Sequence, residues 1–573
     1  MSTVLPRSSE QAPPRLSAPA AVAVSVLAFA AAVGVGHLVA GIVAPLSSPY
    51  QAVADAVVRY APSELVEFGK SLSLPGLPRG QADKVGLLVG IGVVLLVIAI
   101  VAGLISREHE RLGRRVVVMV GLFGLAAVCT SPVFALADVV APLASIGAGL
   151  WAFRWLHHKA LTLAAGGFPP GAQRAGSGRG DAGRAAGDAE DGGHSAESPG
   201  EDDPGRPPGG GGHSAEPLTR RNLLVSGAAV GVGAVGAGVG GYLLGAGVDV
   251  AASQAQVAPE IKPRSPARLI PSGADFAFAG TPTFITPNKD FYRIDTALRI
   301  PAQAAADWSM RIHGMVNREL RLSFRDLLDR PMLDRVVTMT CVSNEVGGNL
   351  ISTARFSGVS LRDLLVEAGV QPGASQLYST SLDGFSVGTP MDVVLEPDRD
   401  AMLVVGMNGE PLPLEHGYPV RMVVPGLYGF VSATKWLADL EATTWDARQS
   451  YWLRRGWARQ APIKTESRID QPREGDTVTA GQVTAAGIAW AQTRGIRGVE
   501  VRLDGGEWQP ARLSTEVNKD TWRMWVVKLS VPPGKHTLQA RATDDTGQLQ
   551  TAAHARPIPD GASGYPSISF AAT

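Results

Sequence analysis

Cys341 stands in the stretch TMTCVSNEVGG, residues 338–348, between a strand-like run, RVVTM, and a glycine pair. The chain has 573 residues and one other cysteine, Cys129, which lies in an uncharged apolar run and reads as a small packing residue. The thiol at 341 is therefore single, with no disulfide partner outside an apolar segment. A lone cysteine after a strand reads first as a buried small hydrophobe. The glycines and Asn344 beside it are poor packing material, however, and a thiolate can act as a nucleophile or as a soft metal ligand. A nucleophile would need a histidine base; the water-soluble half offers His313 and His416, neither with an obvious orienting partner. A metal held by one protein thiolate would need its other ligands from an organic cofactor.

The surroundings of this residue are set by a chain of uneven composition. Hydrophobic residues make up 45% and aromatic residues 6%, too apolar and too unevenly spread for one globule. Basic and acidic residues number 52 each, so nothing overall suggests nucleic-acid binding. No charged residue falls between Arg15 and Asp55, and uncharged runs of 22 residues follow at 85–106 and 116–137, each long enough to cross a hydrocarbon core. A fourth candidate, 134–153, contains Asp138 and follows the Thr130-Ser131-Pro132 breaker; a fifth occupies 222–248. Five spans are expected. Arg7, Arg15, Arg107, Arg111, Arg114, Arg115, Arg154 and Lys159 all fall on one side if the fourth span crosses, which places them in the cytoplasm and the C-terminal part outside. Of His37, His109, His157 and His158, only His37 is expected inside a span, thin ground for haem ligation. Residues 165–218, rich in Gly, Pro, Asp and Ser, are expected to be a disordered linker. The fifth span opens TRRNLLVSGAAVGVGAVGAGVGGYLLG; Arg220-Arg221 ahead of a small-residue run resembles a twin-arginine export signal, and a packing helix with a basic cytoplasmic end is the other reading.

From 270 to 460 short strands alternate with helices, as in WSMRIHGMV and LSFRDLLDR, where Ser323 is placed to cap a helix. SGVSLRDLLVEAGV repeats the theme, with Ser360 as N-cap, Leu361, Leu364 and Leu365 on one face, and Gly369 at the end. This pattern predicts an α+β domain with a buried sheet. From 463 onward, short β-runs with turns at 504–506 and 532–534 predict an immunoglobulin-type sandwich packed by Trp490, Trp508, Trp522 and Trp525.

The segments TPNKDFYRIDTALRI (286–300), the Cys341 loop, and HGYPVRMVVPGLYGFVSATKWLADLE (416–441) together resemble the sulfite oxidase family of molybdenum-cofactor enzymes. VEVRLDGGEWQPA and HTLQARATDDTGQLQ resemble that family's immunoglobulin-like dimerisation domain. The resemblance implies a molybdenum–molybdopterin cofactor, with Cys341 on the position of the single cysteine that ligates the metal beside the pterin dithiolene. It implies that Arg293 binds substrate or a metal-oxo group, and that Arg421 and Lys435 hold the pterin and its terminal phosphate with Ser432, Thr434 and backbone amides around Gly426 and Gly429. His416 is placed to donate to the cofactor or to serve as a turn histidine, and Asn344 to shape the cysteine loop. Four positions depart from the family. Glu345 and Val346 replace substrate-binding arginines, Trp457 falls where the family has a catalytic tyrosine although Tyr451 is close, and the histidine after the first arginine is replaced near Asp295. Fewer cations in the pocket put sulfite itself in question. No CxxCH and no b5-like histidine pair occurs, so no haem is expected, and electrons must pass to or from a separate carrier.

The sequence thus predicts a four-helix membrane region (1–164), a linker (165–218), a fifth helix (219–248), a second linker (249–269), a catalytic domain (270–460) and an immunoglobulin-like domain (461–560). The expected activity is oxygen-atom transfer on sulfite or a related oxyanion, by a multi-pass protein of the cytoplasmic membrane with its catalytic domain outside and a homodimeric arrangement. The rival readings are an S-oxide or N-oxide reductase of the same fold, and a cofactor-free receptor.

Overall fold

The computed structural model describes residues 15–44, 47–61, 82–131, 134–164, 220–245, 248–267 and 269–573; the expected linker 165–218 and Arg7 lie outside the described residues. Among the described residues, five helices are long and apolar enough to cross a membrane: Ala18–Val43, Lys84–Ser106, Glu110–Cys129, Leu136–Ala164 and Arg221–Leu244. The third does not follow the uncharged run 116–137. It starts at Glu110, takes in Arg111, Arg114 and Arg115, and stops at Cys129. The fourth continues past 153 to Ala164, so His157 and His158 lie inside a helix long enough to span, contrary to the expectation that His37 alone would. Basic side chains can reach from a helix end to an interface, so absence of charge alone underestimates helix length. Between the first two spans the sequence also forms an amphipathic helix, Pro49–Tyr60, entered at a proline whose fixed φ suits the first turn.

The helices are divided between two compact units. One comprises Met1–Val35, Val93–Gly121 and Ala144–Gly238. Its core is built on small residues such as Ala21, Ala28, Ala102 and Ala152 around Phe153. A Cβ at Gly34 would collide with the carbonyl of Ala234, so the fifth span approaches the first backbone to backbone.

The second unit comprises Gly36–Gly92, Leu122–Leu143 and Val239–Thr573. One five-stranded sheet runs in the order Leu320–Ser323, Ser309–Gly314, Leu437–Thr443, Gln376–Ser381, Ser386–Pro390. A second runs Met332–Thr340, Ile351–Ser360, Met402–Met407, Glu410–Pro411, with Arg421–Val423 also paired to Met402–Met407. Ser323 and Ser360 cap the helices Phe324–Leu328 and Leu361–Ala368, the latter ending at Gly369 in a left-handed conformation, φ 68°. Residues 249–269, expected as a linker, instead carry the helix Val250–Val257, capped by Asp249 and docked through Gln254, which donates to the Leu412 carbonyl at 2.6 Å.

Beyond Thr465 two further sheets follow. One is ordered Glu466–Gln471, Gly481–Trp490, Arg523–Val531, Arg512–Leu513; the other Thr477–Val478, Ser567–Ala572, Gly534–Asp544, Ile496–Leu503, Gln509–Pro510. The last strand lies beyond residue 560, so this β-rich region reaches nearly to the C-terminus. Of the four tryptophans expected in its core, only Trp525 packs there. Trp490 and Trp522 belong to the core of the preceding domain, and Trp508 lies between Arg502 and Arg541 and against Tyr565. Hydrogen bonds to the backbone of Thr338 fasten the same junction: its N–H donates to the Asp520 carbonyl at 2.9 Å, and the Gln492 side-chain Nε2 donates to its carbonyl at 2.9 Å. Trp522→Ala should therefore cost about 3–5 kcal/mol by opening a cavity in a core shared by both domains. Trp508→Ala should cost under about 1 kcal/mol. Thermal unfolding of the purified full chain measures both.

Candidate active site

The strand Met332–Thr340 pairs with Ile351–Ser360 up to Thr340 opposite Ile351, and residues 341–350 are the loop joining them. Cys341 is the first residue of that loop, its N–H donating to the Leu350 carbonyl at 2.9 Å. Asn344 holds the loop shut: its Oδ1 accepts from Leu350 N–H at 2.8 Å. Its buried Nδ2 has no partner among the described residues. Cys341 lines a cavity together with Tyr292, Asp295, His416, Arg421, Lys435 and Trp457, and aromatic side chains from Phe385, Phe430, Trp436 and Trp452 form much of the remaining wall. Asn344 does not line it, nor do Glu345 and Val346.

Arg421 enters from the sheet, paired opposite Val404, and its side chain is buried. Its Nη1 donates to the His416 carbonyl at 3.1 Å and Nη2 approaches Met339 Sδ at 3.7 Å. Nε has no hydrogen-bond partner among the described residues. Among the described residues no carboxylate forms an ion pair with it, and burial lowers its pKa to about 10. Gly417, at φ 110°, turns the chain between His416 and Arg421; a Cβ there would lie 3.1 Å from atoms of both Arg421 and Lys435. Trp436 holds a left-handed backbone, φ 48°, beside Lys435, and its indole N–H donates to the Leu414 carbonyl at 2.8 Å. A bulky residue in that region is strained by about 1–3 kcal/mol, which its burial must offset.

Lys435 Nζ donates to Asp295 Oδ2 at 3.2 Å and to the Glu415 carbonyl at 3.1 Å. Asp295 also accepts from Arg293 Nε at 2.8 Å and from Lys84 Nζ at 2.7 Å. Burial alone would raise the Asp295 pKa, but Lys435 and Lys84, with the hydrogen bond from Arg293, outweigh it and hold the carboxyl well below the usual range. Burial also lowers Lys435 to about 8, against the opposing pull of Asp295. Arg293 itself does not line the cavity; it sits beside it, turned onto Asp295.

His416 is buried, and its Nε2–H donates to the Asn288 carbonyl at 3.0 Å. Burial and then the charge of Arg421 lower its pKa to about 4, so the ring is neutral and Nδ1 keeps its lone pair. Burial pushes the Cys341 thiol up, despite hydrogen bonds from Ser343 and the charge of Lys435. A raised thiol beside a depressed histidine is the reverse of an activated cysteine nucleophile, which needs a thiolate–imidazolium pair. His313 does have a partner, Asp439 Oδ2 at 2.7 Å, but lies away from the cavity lining.

Ser432 and Thr434 are not brought to the cavity. Ser432 Oγ donates to the Leu427 and Tyr428 carbonyls, each at 3.0 Å, and Thr434 Oγ1 shares a hydrogen bond with Ser379 at 2.6 Å. Tyr451 is also turned away, its hydroxyl donating to the Val58 carbonyl at 3.2 Å. The tyrosine that lines the cavity is Tyr292, its phenol kept neutral chiefly by burial. Lys84 and Asp383 went unnoticed in the sequence. Lys84 shows there only as the charge that ends an apolar run, and the span's fold alone brings it to Asp295.

Asp295→Asn should cost about 3–5 kcal/mol, because three cations lose their shared buried partner. The folded carboxyl is held below its ordinary value of about 3.9. Its contribution is therefore complete above that pH and is lost as pH falls below it. The difference in thermal stability between wild type and variant should be full at pH 6 and narrow progressively as pH falls below about 4; parallel curves would contradict this.

Comparison with known proteins adds sequence-wide context. The oxidoreductase molybdopterin binding domain family matches residues 297–452. Mitochondrial sulfite oxidase of Homo sapiens is 32% identical over 320 residues, which cover 47% of this chain and 58% of that protein. Sulfite oxidase of Gallus gallus is 30% identical over 317 residues, covering 47% of this chain and 68% of that one. The crystal structure of the sulfane dehydrogenase SoxCD from Paracoccus pantotrophus is 25% identical with a TM-score of 0.43, over 55% of this chain and 88% of that one. The chain thus spans little more than half the length of the human protein.

Proposed function

The chain belongs to the sulfite oxidase family of molybdopterin oxidoreductases, and we propose that it catalyses oxygen-atom transfer to sulfite or a related oxyanion at a mononuclear molybdenum site. The observation that carries this reading is Arg421, a buried cation without a carboxylate partner among the described residues, facing the same cavity as the single thiol of Cys341 and the ammonium of Lys435. A lone buried charge costs several kcal/mol unless something opposite accompanies it. A thiolate together with an anionic pterin phosphate meets that need, so the residues fit the cofactor.

In this reading Cys341 holds the metal with the cofactor's sulfur atoms, and Arg421 and Lys435 hold the anionic end of the pterin. When bound, the cofactor supplies the two-electron change and the transfer of oxygen. Neutral His416 offers Nδ1 as an acceptor, Tyr292 offers its phenol proton, and Phe430, Trp452 and Trp457 keep water from the cavity. Asn344, Ser432 and Thr434 act by fixing the loops that carry the ligands. Arg293 attracts the oxyanion from its place beside Asp295. The aromatic wall favours a second reading, reduction of an organic S-oxide or N-oxide, whose apolar groups would be accommodated there. Assays with sulfite and an oxidised dye, and with sulfoxide and a reduced dye, separate the two. Protein free of molybdenum would return the cofactor-free receptor.

The proposed setting is the cytoplasmic membrane, with the catalytic domain outside. Lys84 at the start of the second span reaches Asp295, and the carbonyls of Val58, Arg59 and Ala61 accept from Arg455, which ties this side of the bundle to the domain. Arg107 follows the end of the second span, and Arg111, Arg114 and Arg115 lie in the first turns of the third; all four would be cytoplasmic. We extend the proposal to an immunoglobulin-type C-terminal domain that mediates a homodimer. Trp490 and Trp522 are committed inside the chain, so such an interface would have to use other residues, Trp508 among them.

Two outcomes are expected. Arg421→Met should lower the molybdenum content of purified protein, yet leave metal-free protein equally stable or up to about 4 kcal/mol more stable, because an unpaired buried charge is gone. A destabilised metal-free variant would show that Arg421 serves packing alone. Replacing Arg220-Arg221 by two lysines keeps the positive charge; if these residues are an export signal, the catalytic domain should stay folded but shielded from external protease, and normal export would make them topology anchors only.

A further inference from the structure

A second cavity, of about 190 Å³, lies in the same compact unit as the first. That exceeds several times the roughly 30 Å³ occupied by one water in the liquid. Its walls come from the end of the first span, the helix Pro49–Tyr60, the turn between the third and fourth spans, and two loops of the catalytic domain. Asp383 lines both cavities, so a single side chain forms part of the wall of each. Resting on the oxygen-atom-transfer reading above, we propose that this second cavity binds the ring of a lipid-soluble quinone, which accepts the two electrons released when the oxyanion is oxidised.

Position, lining and stoichiometry support the assignment. The cavity opens among the ends of helices long and apolar enough to span a membrane, where a lipid-soluble carrier can arrive. Ala52 and Leu382 give small and apolar surface for a ring, while Arg59 can donate to a quinone carbonyl and has a buried Nε without a partner among the described residues. Oxidation of sulfite by water yields sulfate, two protons and two electrons. A quinone takes up two protons and two electrons to become the hydroquinone. The sum, sulfite plus water plus quinone giving sulfate plus hydroquinone, balances with no proton left over, provided protons can cross from one cavity to the other. Asp383 stands at that crossing. Asp55 faces the second cavity with Arg59, Asp138 and Arg299. Burial, then the charge of Asp383, raises the Asp55 carboxyl to about 7 against the pull of Arg59, so it can both take and give a proton near neutrality.

The test uses the full-length protein in detergent. Binding of a photoactivatable azido-naphthoquinone is measured on molybdenum-free and loaded protein, and sulfite oxidation is followed with 2-methyl-1,4-naphthoquinone and separately with ferricyanide. Saturable labelling of the helix Pro49–Tyr60 is expected whether or not metal is bound. Ala52→Phe, which fills the cavity, should weaken labelling and quinone-linked turnover about tenfold or more while ferricyanide turnover stays within about twofold. Asp55→Asn should keep the labelling and slow quinone reduction alone. Absence of saturable labelling, or an Ala52→Phe variant that folds and labels like wild type, overturns the quinone site. Loss of turnover with both acceptors in wild-type protein, with labelling intact, instead overturns the sulfite reading and leaves the site standing.

Discussion

The carboxylate of Asp295 accepts from Lys84, Arg293 and Lys435, and each of the three comes from a different part of the chain. A buried carboxylate with fewer partners would be pushed toward neutrality, and the three cations would repel one another. Held together, they fix the start of the second span, the segment around Phe291–Tyr292 and the loop bearing Lys435 in one arrangement. The position of Lys435 relative to Cys341 and Arg421 depends on that arrangement, and so does the shape of the cavity they line. The cluster also sets the charge balance. Asp295 offsets part of the charge of Lys435, Lys84 and Arg293 and none that is in contact with Arg421.

That imbalance gives the cavity its chemical character. Burial raises the Cys341 thiol and lowers Arg421 and Lys435, so each of these three groups is displaced toward its neutral form in the isolated protein. On the proposed reading all three tendencies would be reversed together, because the Cys341 thiol would give up its proton as a metal ligand and Arg421 and Lys435 would regain their preference for charge beside a phosphate. Local unfavourable electrostatics of this kind are what a binding site retains against the demands of stability. The strained backbone at Trp436, next to Lys435, fits the same pattern.

Local chemistry was legible in the sequence where a short stretch determines its own conformation. The serine caps at 323 and 360, the left-handed glycine at 369 and the strand before Cys341 all depend on neighbouring residues, and each forms as its pattern predicts. The cavity residues Cys341, His416, Arg421, Lys435 and Trp457 could be named because their motifs are contiguous. Readings that depended on distant packing went differently. Trp490 and Trp522 have the alternation of a β-domain core, yet their faces turn to the neighbouring domain, which no local pattern distinguishes. The helix Val250–Val257 was hidden because its Ser253 and Gln254 find their hydrogen-bond partners, the Tyr418 hydroxyl and the Leu412 carbonyl, only from far along the chain. Tyr451 is near Trp457 in sequence, but its hydroxyl is captured by a carbonyl nearly four hundred positions away. Lys84 is the same case in reverse, a residue of the membrane region whose role is set by a carboxylate in the catalytic domain.

Whether Cys341 binds the metal is the point on which the functional reading turns, and X-ray absorption at the molybdenum edge addresses it without recourse to turnover. Purified full-length protein should contain molybdenum, and the metal in Cys341→Ser should show one fewer sulfur neighbour than in wild type, replaced by a lighter oxygen scatterer. Identical sulfur shells in the two proteins, or wild-type protein without molybdenum, would contradict the assignment of this thiol as the ligand.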